Sequence, residues 1–180
     1  KGYLMAHFTG ESATGEQIYF ATSRDGLHWQ DLNDSELVLA SDVGEKGVRD
    51  PSIIRSAEGD KFYMLATDLR IASGKGWDVA QFSGSTSLVV WESTDLVNWS
   101  APRLINVAGS IYRAGCAWAP EAIYDERTGE YIVYWATIAT TERGEKIPPK
   151  LYYSKPRDFY NFTPAQVYID RQNSIGLIDT

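Results

Sequence analysis

The sequence predicts an all-β chain: a β-propeller built of four-stranded antiparallel blades, with an incomplete set of about two to three blades present. Three observations predict it. A unit of strand, Ser, Asp turn and aromatic recurs three times along the chain. A hairpin led by proline precedes two of those units. No segment holds a 3.6-residue apolar period over three turns, so no helix is expected. Four antiparallel strands repeated at a fixed period are the sequence shape of a propeller. An ordinary β-sandwich also has short strands and regular turns, but it lacks the internal repeat.

The chain opens with Tyr3-Leu4-Met5-Ala6-His7-Phe8, which aligns with the later strand Tyr63-Met64-Leu65-Ala66-Thr67. It therefore starts inside a blade, without that blade's innermost strand. Gln17 to Trp29 follows as the first copy of the strand–Ser–Asp–aromatic unit, with Ser23, Asp25, His28 and Trp29. Ser87 to Trp99 is the second copy, and Leu151 to Phe162 the third. Each begins as a β-branched and aromatic strand. The Ser and Asp bind nearby backbone and set the turn, so these Asp residues read as structural. His28 stands where the other copies have Asn98 and Asn161, which assigns it to the turn as well.

The hairpins are Pro51 to Thr67, turning at Glu58-Gly59-Asp60, and Pro120 to Thr137, turning at Arg127-Thr128-Gly129. Together these pieces expect an incomplete blade over 1–45, full blades over 46–110 and 111–175, and the start of another over 176–180. Arg70 to Ser85 and Thr141 to Lys150 read as polar loops between second and third strands. Asp68 reads as a turn former, and Val107 to Cys116 as a bridge between blades. A lone His7 in a strand reads as structural.

Composition bounds the partners. Formal net charge is −7, which argues against nucleic acid and anionic membranes and suits a neutral polymer. There is no run of about 18 apolar residues to form a membrane helix. Aromatic residues make up 13% of the chain, enough for a dense β core or a carbohydrate surface. One cysteine, Cys116, allows no intrachain disulfide and no thiolate cluster. Two His and scattered acids offer no zinc site, while a calcium ion held by oxygens on the propeller axis would leave little sequence trace. The chain opens on Lys1-Gly2-Tyr3 and not on a Met and a signal peptide, so either a leader was removed or this is a piece of something longer, and the compartment stays open.

In a propeller the first strand of each blade lines the axis. The repeat puts Asp50, Ala119 and Asp179 at equivalent points of successive blades, so two carboxylates on non-adjacent blades face a common pocket. That is the arrangement glycoside hydrolysis needs, with one carboxylate activating water and another group protonating the leaving oxygen. Spacing alone leaves turn formation open for an Asp before Pro.

Arg49-Asp50-Pro51-Ser52-Ile53, then Ala117-Trp118-Ala119-Pro120-Glu121, then Ile178-Asp179, in this order, resemble the opening blades of glycoside hydrolase family 43. The resemblance implies a five-bladed propeller of inverting enzymes acting on arabinose- and xylose-containing polysaccharides, with no organic cofactor. It makes Asp50 the general base and Asp179 the Asp that tunes the acid's pKa. The family's acid Glu is expected beyond Thr180; Glu121 lies in a different motif. Thr180 stands where the family often has Pro. Three further residues are candidates for the substrate. Trp118 is either a sugar-facing aromatic or core packing. Glu121 bonds a sugar hydroxyl or holds a neighbouring Arg. Arg49 orients Asp50 or lies on the strand surface. Two rivals remain: a non-catalytic carbohydrate-binding propeller, and the fructan-cleaving propellers, whose Asn-Asp-Pro-Asn-Gly stretch is absent here. Exposed blade edges invite self-association.

Overall fold

A computed structural model describes residues 1–179. It holds three antiparallel sheets, each a meander of consecutive strands. The first has β1 (Tyr3–His7), β2 (Tyr19–Ser23) and β3 (Trp29–Asp31). The second has β4 (Val48–Arg55), β5 (Phe62–Asp68), β6 (Ser87–Ser93) and β7 (Arg103–Asn106). The third has β8 (Trp118–Asp125), β9 (Glu130–Thr140), β10 (Lys146–Ser154) and β11 (Gln166–Ile169). The chain is all-β, and its sheets are propeller blades.

The middle sheet explains the packing. Successive strand residues point to opposite faces. In β5, Met64 and Ala66 join Ile18, Phe20, Val48, Val89 and Trp91 in one core against the first sheet. Their neighbours Tyr63 and Leu65 join Leu88, Val90, Val133, Trp135 and Phe159 in a second core against the third sheet. A sheet covered on both faces needs continuous apolar strands, and Tyr63-Met64-Leu65-Ala66 and Leu88-Val89-Val90-Trp91 supply them.

The turns after β2, β6 and β10 are built around the repeated Asp, which Ser23 and Ser93 join in the first two copies. Ser93 Oγ accepts from the Leu96 N–H at 2.9 Å, and Asp95 Oδ1 accepts from Val97 at 2.9 Å and Asn98 at 2.7 Å. Asp25 does the same for Leu27 and His28, and Asp158 for Tyr160 and Asn161. These donors favour the ionised form and hold all three carboxyls below the ordinary Asp range. The fourth turn residue closes the motif through its side chain in each copy: His28 Nδ1 lies 2.7 Å from Asp25 Oδ2, and Asn98 and Asn161 donate to their Asp at 2.8 and 3.0 Å.

Three expectations are corrected. Residues 70–85 are not a plain loop: they hold a short 3-10 turn, Ile71–Ser73, and an α-helix, α1 (Gly76–Ser83). Eight residues are too few to register as a 3.6 period; the helix is held from outside. Gly115 lets it dock, since a Cβ there would stand 2.2 Å from the Gln81 carbonyl oxygen, and the Gly84 N–H donates to Gly115 O at 2.8 Å. Residues 141–150 are a tight turn followed by strand: β9 ends at Thr140, β10 begins at Lys146, and Pro148 and Pro149 sit at a bulge between Ile147 and Lys150. Asp68 ends β5 inside the protein, 2% exposed, and accepts from the Glu45 N–H at 2.8 Å.

Beyond β11 the chain returns along the third sheet. Lys150 pairs with Asp170 at 2.7 Å, and the Leu177 N–H donates to Pro149 O at 2.9 Å. Residues 176–179 form no strand, and Thr180 lies outside the described residues.

Candidate active site

Strands β4 and β8 both carry a bulge at their opening. The β4–β5 register shifts between Arg49 and Ser52, and the β8–β9 register between Trp118 and Glu121. At each bulge one residue adopts the left-handed conformation: Asp50 with φ 51° and Ala119 with φ 50°. Asp179 has φ 57°. Left-handed backbone before a proline is disfavoured, and such strain clusters where a side chain must be aimed. Bulges re-aim side chains in this way. Here they turn the residues at positions 50 and 119 toward one pocket of about 180 Å³, lined by Arg49, Asp50, Trp77, Trp118, Ala119 and Asp179 among others.

Asp50 is half-buried in this pocket. Desolvation raises its pKa above the ordinary carboxylate value, and the nearby negative charge of Asp179 raises it further. A hydrogen bond from Thr67 and the positive charge of Arg49 oppose both. Thr67 was not foreseen. Its Oγ1 donates to Asp50 Oδ2 at 2.8 Å and accepts from the Ala119 N–H at 2.8 Å. One hydroxyl gives one proton and takes one, so Thr67 ties the carboxylate of β4 to the backbone of β8. Strand register could have pointed to it. Arg49 faces Thr67 across β4–β5, and the matching partner of Trp118 is Ala136. Where the bulge lacks a carboxylate, as at Ala119, the residue at the matching register is Ala136 and has no hydroxyl.

Thr67→Val keeps the shape and removes the donor. We expect the acid limb of kcat/KM to move to higher pH, because the lost bond favoured the ionised form. A bond to a charged group of this kind makes roughly a ten- to hundredfold loss below the limb, with Thr67→Ser restoring it. A purely structural Thr67 would lower the melting temperature and leave the pH profile in place.

The other candidates fall as follows. Trp118 lines the pocket and also packs against Leu69, Ile71 and Ala80. Arg49 lines the pocket as well. Its guanidinium lies between the rings of Phe8 (4.7 Å) and Trp77 (4.9 Å), and its Nη1 is 3.6 Å from Glu16 Oε1. It acts on Asp50 as a nearby positive charge. Glu121 is not among the pocket-lining residues; its Oε2 accepts from Ser52 Oγ at 3.3 Å, joining the two inner strands further along. His7 is partly buried on β1, with its ring 5.8 Å from that of Tyr19. Burial pushes the Cys116 thiol up to about 12, which leaves it inert. Among the described residues, no group of three or more His, Cys, Asp or Glu comes together as a cation site.

The fold is that of propeller blades, and the pocket where β4 and β8 open brings the carboxylates of Asp50 and Asp179 together. All of the chain, residues 1–180, matches the family described as "Probable glycosyl hydrolase domain", related to glycoside hydrolase family 43, and the chain belongs to that family. It is 34% identical over 185 residues to an alpha-L-arabinofuranosidase of Bifidobacterium longum subsp. longum, an alignment taking in 94% of this chain and 17% of that protein. The chain thus spans about a sixth of that relative. Among solved structures, a glycoside hydrolase superposes with a TM-score of 0.63 at 10% identity, covering 97% of this chain and 56% of the other. The Bombyx mori GH32 beta-fructofuranosidase gives 0.58 at 17% identity, covering 92% and 35%. An exo-1,5-alpha-L-arabinanase from a bovine ruminal metagenomic library gives 0.57 at 12% identity, covering 92% and 52%. At these identities the structures speak for the fold alone.

Proposed function

We propose that this chain carries the water-activating half of an inverting glycoside hydrolase, and that the whole protein cleaves arabinofuranosyl or xylosyl linkages. The observation that carries the reading is Asp50: a strained, bulge-aimed carboxylate, fixed by Thr67, in one pocket with Asp179. Asp50 takes a proton from water as the water oxygen attacks the anomeric carbon. The glycosidic C–O bond breaks on the opposite side, and the leaving oxygen takes a proton from an acid. Inverting enzymes hold base and acid about 6.5–9.5 Å apart to leave room for that water. The acid is expected beyond Thr180, and Asp179 is the fixed charge that would keep it protonated. The arabinofuranosidase relative favours arabinose over xylose as the sugar.

The test is turnover by the full-length protein on 4-nitrophenyl α-L-arabinofuranoside and β-D-xyloside, with the first-formed product anomer followed by proton NMR. Cleavage of the arabinoside with inversion is expected. Retention would overturn the role given to Asp50. Sugar binding without turnover would favour a carbohydrate-binding propeller.

A further inference from the structure

We infer that Trp77, on helix α1, is the platform of a second sugar-binding position beside the Asp50 pocket. The inference rests on the glycosidase reading and extends it: the substrate would be an oligosaccharide gripped at a neighbouring unit as well as at the cleaved one.

Helix α1 interrupts the connection between β5 and β6. The corresponding connection between β9 and β10 is a tight turn. The insertion is anchored at several points. Glu16, 1% exposed, accepts from the Ile71 and Ala72 N–H groups at 2.9 Å each and so holds the turn before the helix. Glu45 accepts from Arg70 N at 3.0 Å and Ser85 N at 3.1 Å, and pairs with Lys75. Ala80 is fully buried against Leu69 and Ile71. The Gly115 contact closes the far end.

All of this rigidity presents a ring that is not itself buried. Trp77 is 41% exposed, yet it is fixed. Its centroid is 6.1 Å from that of Trp118, at an interplanar angle of 87°, and the Arg49 guanidinium lies 4.9 Å from its ring. A large aromatic surface held in place and left open costs little ordering entropy when a ligand covers it. Its electron-rich face suits the C–H face of a sugar ring. The pocket at its foot, about 180 Å³, is smaller than the ~300–1,000 Å³ of ordinary ligand sites. A space of that size suits a single sugar ring; Trp77 lines it with part of its ring and leaves the rest open to the next unit.

The test uses the full-length protein bearing Asp50→Asn, so that ligands are bound and not consumed, and reads affinity by calorimetry. The probes are α-1,5-linked arabinotriose and free arabinose. Adding Trp77→Ala is expected to weaken arabinotriose by about ten- to a hundredfold and arabinose, which meets only the pocket-facing part of the ring, by several-fold less, and Trp77→Phe to restore most of the loss. Equal affinity for arabinotriose with and without Trp77 overturns the second position alone. Equal weakening of both probes also overturns it, leaving Trp77 a wall of the first pocket and nothing more. Failure of the Trp77-intact protein to bind either sugar overturns the arabinosidase reading and this inference with it.

Discussion

Asp50→Asn in the full-length protein is expected to lower kcat by about 10²–10⁴-fold with KM within a few-fold of its starting value. Asn preserves what holds the side chain. Its carbonyl oxygen can still accept from Thr67 Oγ1, and Asn tolerates the left-handed backbone that position 50 adopts. What it cannot do is take a proton from water. The loss should therefore fall on the chemical step. Asp50→Ala is expected to behave alike, since Ala119 already occupies the equivalent bulge with φ 50° and the strand accommodates it. Burial and the Asp179 charge raise the Asp50 pKa, so the acid limb of the unmodified enzyme's profile should lie above that of an ordinary Asp. Activity rises as pH climbs through that value and Asp50 loses its proton. Steady-state kinetics against pH check both points. A loss under tenfold, or one confined to KM, would remove Asp50 from the reaction.

The repeat made Asp50 legible. The Asp-Pro pair alone reads more readily as a turn; the comparison with Ala119-Pro120 turned it into the opening of an inner strand, and the two bulges are where the registers shift. The Asp turns were legible too, because their chemistry is local: every backbone donor to Asp25, Asp95 and Asp158 lies within three residues. What escaped was fixed by contacts distant in sequence. Thr67 is an ordinary strand residue until β8, some fifty positions on, places the Ala119 N–H against it. Helix α1, opening on Gly76 and flanked by Gly74 and Gly84, has little helical character of its own and depends on Gly115 and Glu45. Asp68 looked like a turn former because it follows a strand; only the loop carrying Glu45 folds over and buries it.

Trp135→Ala is expected to destabilise the domain by about 3–5 kcal/mol, a large part of the roughly 5–15 kcal/mol that holds a typical domain together. Trp135 is 0% exposed in the core between the second and third sheets, among Leu65, Val90, Val133 and Phe159. Its indole Nε1 donates to Thr137 Oγ1 at 3.1 Å, so its polar atom is satisfied as well. Removing it opens a cavity at the seam where β8 and β9 lean on β5. The catalytic consequence follows from the same seam. The Ala119 N–H reaches Thr67, and through it Asp50, only while the third sheet is pressed against the second. A loosened seam should lower kcat at temperatures where the protein is still folded. Trp135→Phe fills most of the space and should cost roughly 1–3 kcal/mol. Trp77→Ala removes the same side chain from an exposed position, and should cost far less than Trp135→Ala. Urea titration of the three variants checks the order, and comparable losses for Trp77→Ala and Trp135→Ala would mean that helix α1, not the seam between sheets, carries the stability of this face.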